Sequence, residues 1–486
     1  MKIDKTIMIV PLVLIVTLSI VFATFPETSL NILESIRNFL GNYFGLFYLL
    51  FGLACFGTTL YMAFSHRGKT KLGTSEKPAY NNLTWGAMIF TSTMAADIIF
   101  FSLIEWAFYA NEPHVQGLGD IELWSATMPL FHWGPIVWSF YIVLAVAIGY
   151  LLHVKGVTTQ KFSEMARPII GNKADGTLGR IIDVTAVFGL LAGTATTFSL
   201  ATPLISAAVS YLFNIENNTI LTILILIGVA TIYTAVVLIG MKGIEKLAKI
   251  SVAFFIVLLA YFLFLGGEAR FILEMGVSAV GNMTQNFVFL STWTDPLRGD
   301  YFPQNWTVFY WAYWVSWSVA TPFFIATISK GRTIKSTVLG AYFFGILGTF
   351  TSFIILGGYG MAQGFEVASL IGYADESSII ISIFQSLPLH VIAVVLLVIT
   401  MILFYATTFD SLTLVVSKFS YKDIKDGEEP SKLVRAFWAI VFIILPIGLI
   451  LSEGALYSLQ SLAIIVAFPI SFIIILVLVG FLKNTK

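Results

Sequence analysis

The sequence predicts an all-α, polytopic membrane protein of twelve transmembrane helices, and three observations predict it. Apolar residues make up 58% of the chain and charged residues only 11%, against roughly 25% charged in a soluble domain. Twelve apolar runs are long enough to cross a hydrocarbon layer about 30 Å thick, which takes about 20 residues in a helix. Counting loops alternately, all of the 27 Lys and Arg except Arg37, Arg270 and Arg298 fall on the side that holds both chain ends.

The expected spans are 7–25, 43–64, 84–109, 131–152, 181–212, 218–240, 248–266, 304–328, 336–359, 388–417, 435–452 and 457–482. The first follows Lys2 and Lys5, but its apolar stretch exceeds a signal-peptide core and no small-residue cleavage site follows, so it reads as a retained helix. Cytoplasmic loops retain Lys and Arg, which places both ends in the cytoplasm and the protein in the cytoplasmic (cell inner) membrane. One missed or invented helix would scatter the basic residues over both sides. Zero net charge, with basic residues at helix ends, leaves no patch for a nucleic-acid partner. Cys55, the sole cysteine, lies in an apolar run and reads as packing. The short hydrophilic ends lead us to expect no soluble regulatory domain.

Four segments follow along the chain. Residues 1–80 hold two leading spans and a cytoplasmic loop, and 81–266 a first set of five spans. Residues 267–303 form an outward linker, and 304–486 a second set of five. In the linker, Phe271–Met275 and Phe287–Leu290 are apolar patches too short to span, interrupted by Gly281, and an interfacial amphipathic helix is expected. Five spans on either side of it is the layout of two five-helix units (spans three to seven and eight to twelve) related by inverted topology.

Aromatic faces mark a candidate site. In span eight, Tyr310, Tyr313, Trp314 and Trp317 recur at i, i+3, i+4 and i+7 and share one helix face. Trp306, near the outer end, fits an interfacial belt. Span four presents Phe131-His132-Trp133-Gly134, Trp138 and Tyr141 at similar depth. Such a cage attracts a quaternary ammonium through ring quadrupoles, worth about 2 kcal/mol when desolvated, without needing hydrogen bonds the cation cannot make. Packing by large aromatics is the competing reading.

Carboxylates inside spans are functional suspects because burying them is costly: Asp97 and Glu105 in span three, Asp183 at the inner end of span five, and Asp410 in span ten. Asp97 could face a substrate, an ion or a proton path, or be structural, and Asp183 reads as interfacial. Thr407 and Thr408 in span ten, with freed backbone carbonyls, supply the hard oxygens a dehydrated sodium ion requires. Membrane threonines also bond back to their own helix, and the Thr194, Thr196 and Thr197 cluster has the same two readings. The five histidines are scattered, with only His132 beside the candidate site, so no acid–base or metal constellation points to an enzyme.

At these residues the chain resembles the betaine/carnitine/choline transporter family. The resemblance runs from about residue 40 to 420 and rests on Phe131-His132-Trp133-Gly134 with Trp138 and Tyr141, the aromatic run Trp311 to Ser318, and Ile328-Ser329-Lys330-Gly331-Arg332-Thr333-Ile334. It implies a fold like the amino-acid/sodium symporters, with two inverted five-helix repeats after two leading helices. It also implies a homotrimer that moves trimethylammonium compounds by alternating access. Trp133, Trp138, Tyr141 and Trp314 match the family's aromatic box, and Trp317 and Tyr313 the neighbouring substrate contacts, with Tyr313 in place of the usual Trp. Thr407 and Thr408, with the carbonyls of Thr91, Met94 and Phe404, match the sodium site of sodium-coupled members. Sodium-independent exchangers carry an Arg in span five, and none occurs there in this chain. Sodium is therefore the expected coupling ion, and no cofactor is implied.

Three departures refine the expectation. Met94-Ala95-Ala96-Asp97 stands where the family has a Gly-rich stretch, so close backbone contact with a substrate carboxylate is lost. Met94 and Asp97 remain candidate substrate contacts. Asp97 occupies a position that is Gly in betaine carriers and Asp in proton-linked choline carriers, and its charge would attract cationic choline. Glycine betaine remains the first expected substrate, with choline next and then carnitine; proton-linked choline uptake and precursor/product exchange are the alternatives. Trp317-Ser318-Val319-Ala320 replaces Trp-Ser-Pro-Phe, which removes an aromatic of a second sodium position. Glu105-Trp106 replaces the family's Glu-Pro pair, and the charged tails of osmosensing members are absent.

Overall fold

A computed structural model describes residues 2–485 apart from 95, 239–240, 365, 423, 425–427 and 452–455. Its regular elements are helices, and the bridges among the described residues are isolated pairs. Ten described helices are long and apolar enough to cross a bilayer, or eleven when Asn82–Thr93 and Asp97–Ala110, which meet at 68°, count as one bent span. Each of the twelve expected spans corresponds to a helical segment. The eighth is divided into Val308–Trp317 and Thr321–Ile328, of 10 and 8 residues, each too short to cross alone.

One element begins earlier than expected. Span two is one 39-residue helix, Pro26–Phe64, and begins well before the expected residue 43. Its first half carries polar residues that lower hydropathy without breaking a helix, and one of them, Arg37, is buried and donates to the Asn305 carbonyl at 3.1 Å. The outward linker holds a single helix, Ala269–Thr292, that runs through Gly281. Nothing lies within 4 Å of where a Gly281 side chain would begin, so that glycine marks an open face and no break. The linker helix packs against Ile121–His132 of span four.

Three spans are interrupted at comparable places, and local chemistry accounts for each interruption. Span three stops at Thr93, Met94 is extended (φ −103°, ψ 103°), and a second helix opens at Asp97. The last carbonyls of the first helix thus lack helical partners, and an acidic side chain stands in the first turn of the second, where the helix dipole favours it. Span four breaks at Trp133-Gly134, because Pro135 disfavours helical backbone before it. A β-carbon at Gly134 would approach the Leu130 carbonyl to 2.4 Å, so this turn requires glycine. Span eight breaks over Ser318–Ala320 and restarts with Pro322 in the first turn. Spans three and eight, the leading helices of the two expected five-helix units, are both broken.

On the other side of the breaks, Phe162, Phe323 and Phe419 meet edge to face, at 5.2 Å for Phe162–Phe323 and 5.1 Å for Phe323–Phe419. All three are fully buried. Beside them Ile3 pairs with Tyr421, the Asp4 N–H donates to the Ser420 carbonyl at 2.7 Å, and the Lys161 ammonium reaches the Asp4 carboxylate at 2.7 Å. Asp183 accepts from the Ser163 N–H and hydroxyl at 2.9 and 2.7 Å, which ties the loop helix Phe162–Ile170 to span five. The Ser329–Arg332 motif is a clasp of the same kind. Gly331, at φ +86°, donates to the Leu72 carbonyl, and the Arg332 guanidinium lies 4.0 Å over the Trp85 ring.

Candidate functional site

The interruptions of spans three, four and eight surround a small buried cavity. It is lined by Thr93, Met94, Asp97, Trp133, Tyr141, Tyr313, Trp314 and Trp317. None of these side chains is more than 5% exposed. Five of the six aromatics expected from the sequence are therefore in the wall. Trp314 is the hub: its ring centroid lies 5.7 Å from Trp133 at 75° and 4.9 Å from Tyr141 at 33°. The sixth, Trp138, is not in the lining. It sits behind Trp314, 5.3 Å away at 63°, with its ring seated on Gly345 of span nine, where a β-carbon would come within 2.5 Å of it. Among the described residues, the indole N–H groups of Trp314 and Trp317 are buried without a protein acceptor.

Asp97 stands in the cavity wall. One of its carboxylate oxygens accepts from the Tyr313 hydroxyl and from Thr197 Oγ1, the latter at 3.2 Å, and the two hydroxyls lie 2.8 Å apart. Tyr313 and Thr197 thus anchor the one charged group in the lining. This gives the threonine cluster of span five a use, through Thr197 alone, since Thr194 bonds back to Leu190 of its own helix.

The oxygen-rich set lies next to Met94. Thr408 Oγ1 is 2.8 Å from the Thr91 carbonyl oxygen and 3.1 Å from that of Met94. Thr407 Oγ1 is 3.1 Å from the carbonyl oxygen of Phe404, one turn back, and 2.9 Å from that of Leu403. Thr91, Met94 and Thr408 are brought together across two spans, while Thr407 and Phe404 share a turn of span ten. All the oxygens are hydroxyls or carbonyls, the donor type that suits a small hard cation in a broken-helix site.

Sequence reasoning missed the partners of the other carboxylates. Glu105 accepts from Trp133 Nε1 at 2.8 Å and from the Tyr109 hydroxyl at 2.8 Å, and Tyr109 in turn lies 2.5 Å from His132 Nδ1. Asp410 faces Arg435 of span eleven at 3.5 Å, with both side chains almost wholly buried. A charged residue inside a span is the signal that could have found both, but it names no partner.

A bundle of membrane-crossing helices, three of them broken around a buried aromatic cavity with one carboxylate and an adjoining nest of carbonyl and hydroxyl oxygens, has the form of a solute carrier. The chain belongs to the betaine/carnitine/choline transporter family: the family model described as BCCT, betaine/carnitine/choline family transporter, matches residues 6–486. It is a transporter and not an enzyme. A probable glycine betaine transporter of Desulfitobacterium hafniense is 30% identical over 95% of this chain and 93% of its own. The glycine betaine transporter OpuD of Bacillus subtilis is 30% identical over 94% and 90%. A high-affinity choline transport protein of Escherichia coli is 32% identical over 91% of this chain and 66% of its own.

Proposed function

We propose that this protein is a sodium-coupled carrier that imports a quaternary ammonium compound by alternating access, with choline favoured over glycine betaine. The observation that carries the substrate class is the buried cavity of Trp133, Tyr141, Tyr313, Trp314 and Trp317 with Asp97 in its wall. Ring faces suit a trimethylammonium group. Similarity to carriers named for glycine betaine and for choline supports the same class. The place of Asp97 in the wall supports choline, because a carboxylate attracts a cation and repels the carboxylate of a zwitterion.

Sodium coupling is supported by the oxygens of Thr91, Met94 and Thr408 on the break of span three, one residue pair from Asp97. A sodium ion held there and a substrate held in the cavity would both brace the same broken segment, which is a coupling free energy between two sites. Two inverted five-helix repeats, a trimer in the cytoplasmic membrane and cytoplasmic chain ends complete the reading. The paired breaks of spans three and eight support the repeats.

The test is uptake of labelled choline and glycine betaine into proteoliposomes, with and without an inward sodium gradient. Sodium-driven accumulation of choline above betaine is expected. Accumulation driven by a proton gradient alone would transfer the coupling role to Asp97, and exchange against preloaded substrate without accumulation would make the protein an antiporter. Uptake of neither compound would overturn the substrate class.

A further inference from the structure

We propose that Glu105 acts as a charge-selecting residue from behind the cavity wall, through the indole of Trp133. The inference rests on the reading that a cation occupies the cavity. Glu105 is 0% exposed and does not line the cavity. Its Oε2 accepts the Trp133 N–H at 2.8 Å, and Trp133 does line it. Among the described residues no Lys or Arg lies within ion-pair distance of Glu105.

The hydrogen bonds on the other oxygen can accommodate a carboxylate. Tyr109 has a single hydroxyl proton and two partners, Glu105 Oε1 at 2.8 Å and His132 Nδ1 at 2.5 Å. His132 Nε2 lies 3.0 Å from Thr307 Oγ1. Two arrangements satisfy every member with a neutral imidazole, and Trp133 donates to Oε2 in both: Thr307 donates to Nε2, Nδ1–H to Tyr109 and Tyr109 to an ionised Glu105, or a protonated Glu105 donates to Tyr109, Tyr109 to Nδ1 and Nε2–H to Thr307. In the first, which the proposal requires, all donors point toward Glu105, and a chain of aligned hydrogen bonds polarises cooperatively around a carboxylate.

A buried carboxylate without a cationic side chain is costly until a counter-charge arrives. The substrate ammonium supplies it, one ring away. An indole whose N–H is given to an anion carries more negative charge on its faces, and its attraction for a cation rises accordingly. Glu105 therefore acts without touching substrate, by holding Trp133 edge-on and charging its face.

The experiment compares choline with its neutral carbon isostere, 3,3-dimethylbutan-1-ol, as competitors of labelled choline binding to the full-length protein in lipid nanodiscs. In Glu105→Gln, choline affinity is expected to fall about tenfold while the isostere changes little, so the preference for charge collapses. Glu105→Asp should restore part of it. In a Trp133→Phe background, which removes the N–H and keeps a ring, Glu105→Gln should have no further effect on the preference. Equal loss for both competitors would make Glu105 a packing residue and overturn the proposal. An unchanged preference would mean a neutral carboxyl and overturn it equally. Wild-type protein that binds neither choline nor glycine betaine would instead refute the reading of the cavity itself. Should Glu105→Gln fail to fold, Tyr109→Phe tests the same chain: removing one donor from the carboxylate must shift the choline-to-isostere ratio, and an unmoved ratio overturns the proposal.

Discussion

The hydroxyl of Thr408 in span ten lies 2.8 Å from the backbone carbonyl of Thr91 in span three, on the last turn before that helix breaks. Removing the hydroxyl takes one of the oxygens from the proposed ion site and leaves the cavity aromatics in place. Thr408→Ala should raise the sodium concentration for half-maximal uptake by roughly tenfold, about 1.4 kcal/mol, with substrate affinity at saturating sodium nearly unchanged. The sodium titration of choline uptake measures both. An unshifted titration would place the coupling ion elsewhere.

Asp97 predicts a change of preference. In Asp97→Gly the carboxylate leaves the wall and a glycine returns to the unwound stretch, so choline binding should weaken by about tenfold, the scale of one partly screened charge pair. Glycine betaine binding should hold or improve. Competition of each compound against labelled choline reads the ratio. If both weaken together, Asp97 serves only to fix Tyr313 and Thr197.

Trp314 and Trp138 separate wall from support. Trp314→Ala removes the ring that faces Trp133 and Tyr141 and should cost about 30-fold in substrate affinity, corresponding to about 2 kcal/mol of cation–π attraction. Trp138→Phe keeps a ring on Gly345 outside the cavity and should change affinity by less than about threefold. Binding measured by quenching of intrinsic tryptophan emission discriminates them; equal losses would put Trp138 in contact with substrate.

The Asp410–Arg435 pair predicts stability. Arg435→Ala strands a carboxylate that is fully buried in span ten and should destabilise the protein by about 3–5 kcal/mol. Asp410→Asn combined with Arg435→Gln removes both charges and should recover most of the loss. Thermal unfolding in detergent tests the pair, and a double variant no more stable than Arg435→Ala would refute the mutual compensation.

Much of this arrangement is legible in the sequence because a bilayer imposes one-dimensional rules. Apolar length marks the spans, and helical spacing places Tyr313, Trp314 and Trp317 on one face; the breaks before Pro135 and Pro322 go unread, because apolar length alone runs through them. Trp138 shares that kind of spacing, yet its place is decided by Gly345, a residue two hundred positions away that leaves room for an indole. The partners of Glu105 and Asp410 were illegible for the same reason: a charge within a span announces a cost but not who offsets it. Span two was misjudged at its start because a hydropathy threshold reads Arg37 as an interruption, whereas the folded chain buries it against Asn305.

The pairing of Ile3 with Tyr421, with Asp4 held by Lys161, also has a consequence for biogenesis. The residues that secure the first span are made early, while Ser420 and Tyr421, which receive them, emerge only after ten spans have been synthesised, so the first helix waits in the bilayer with this anchor unmade. Closing this link is a late, long-range step of assembly. Chains released before residue 422 should be open to proteolysis at their first residues, and the full-length chain protected there.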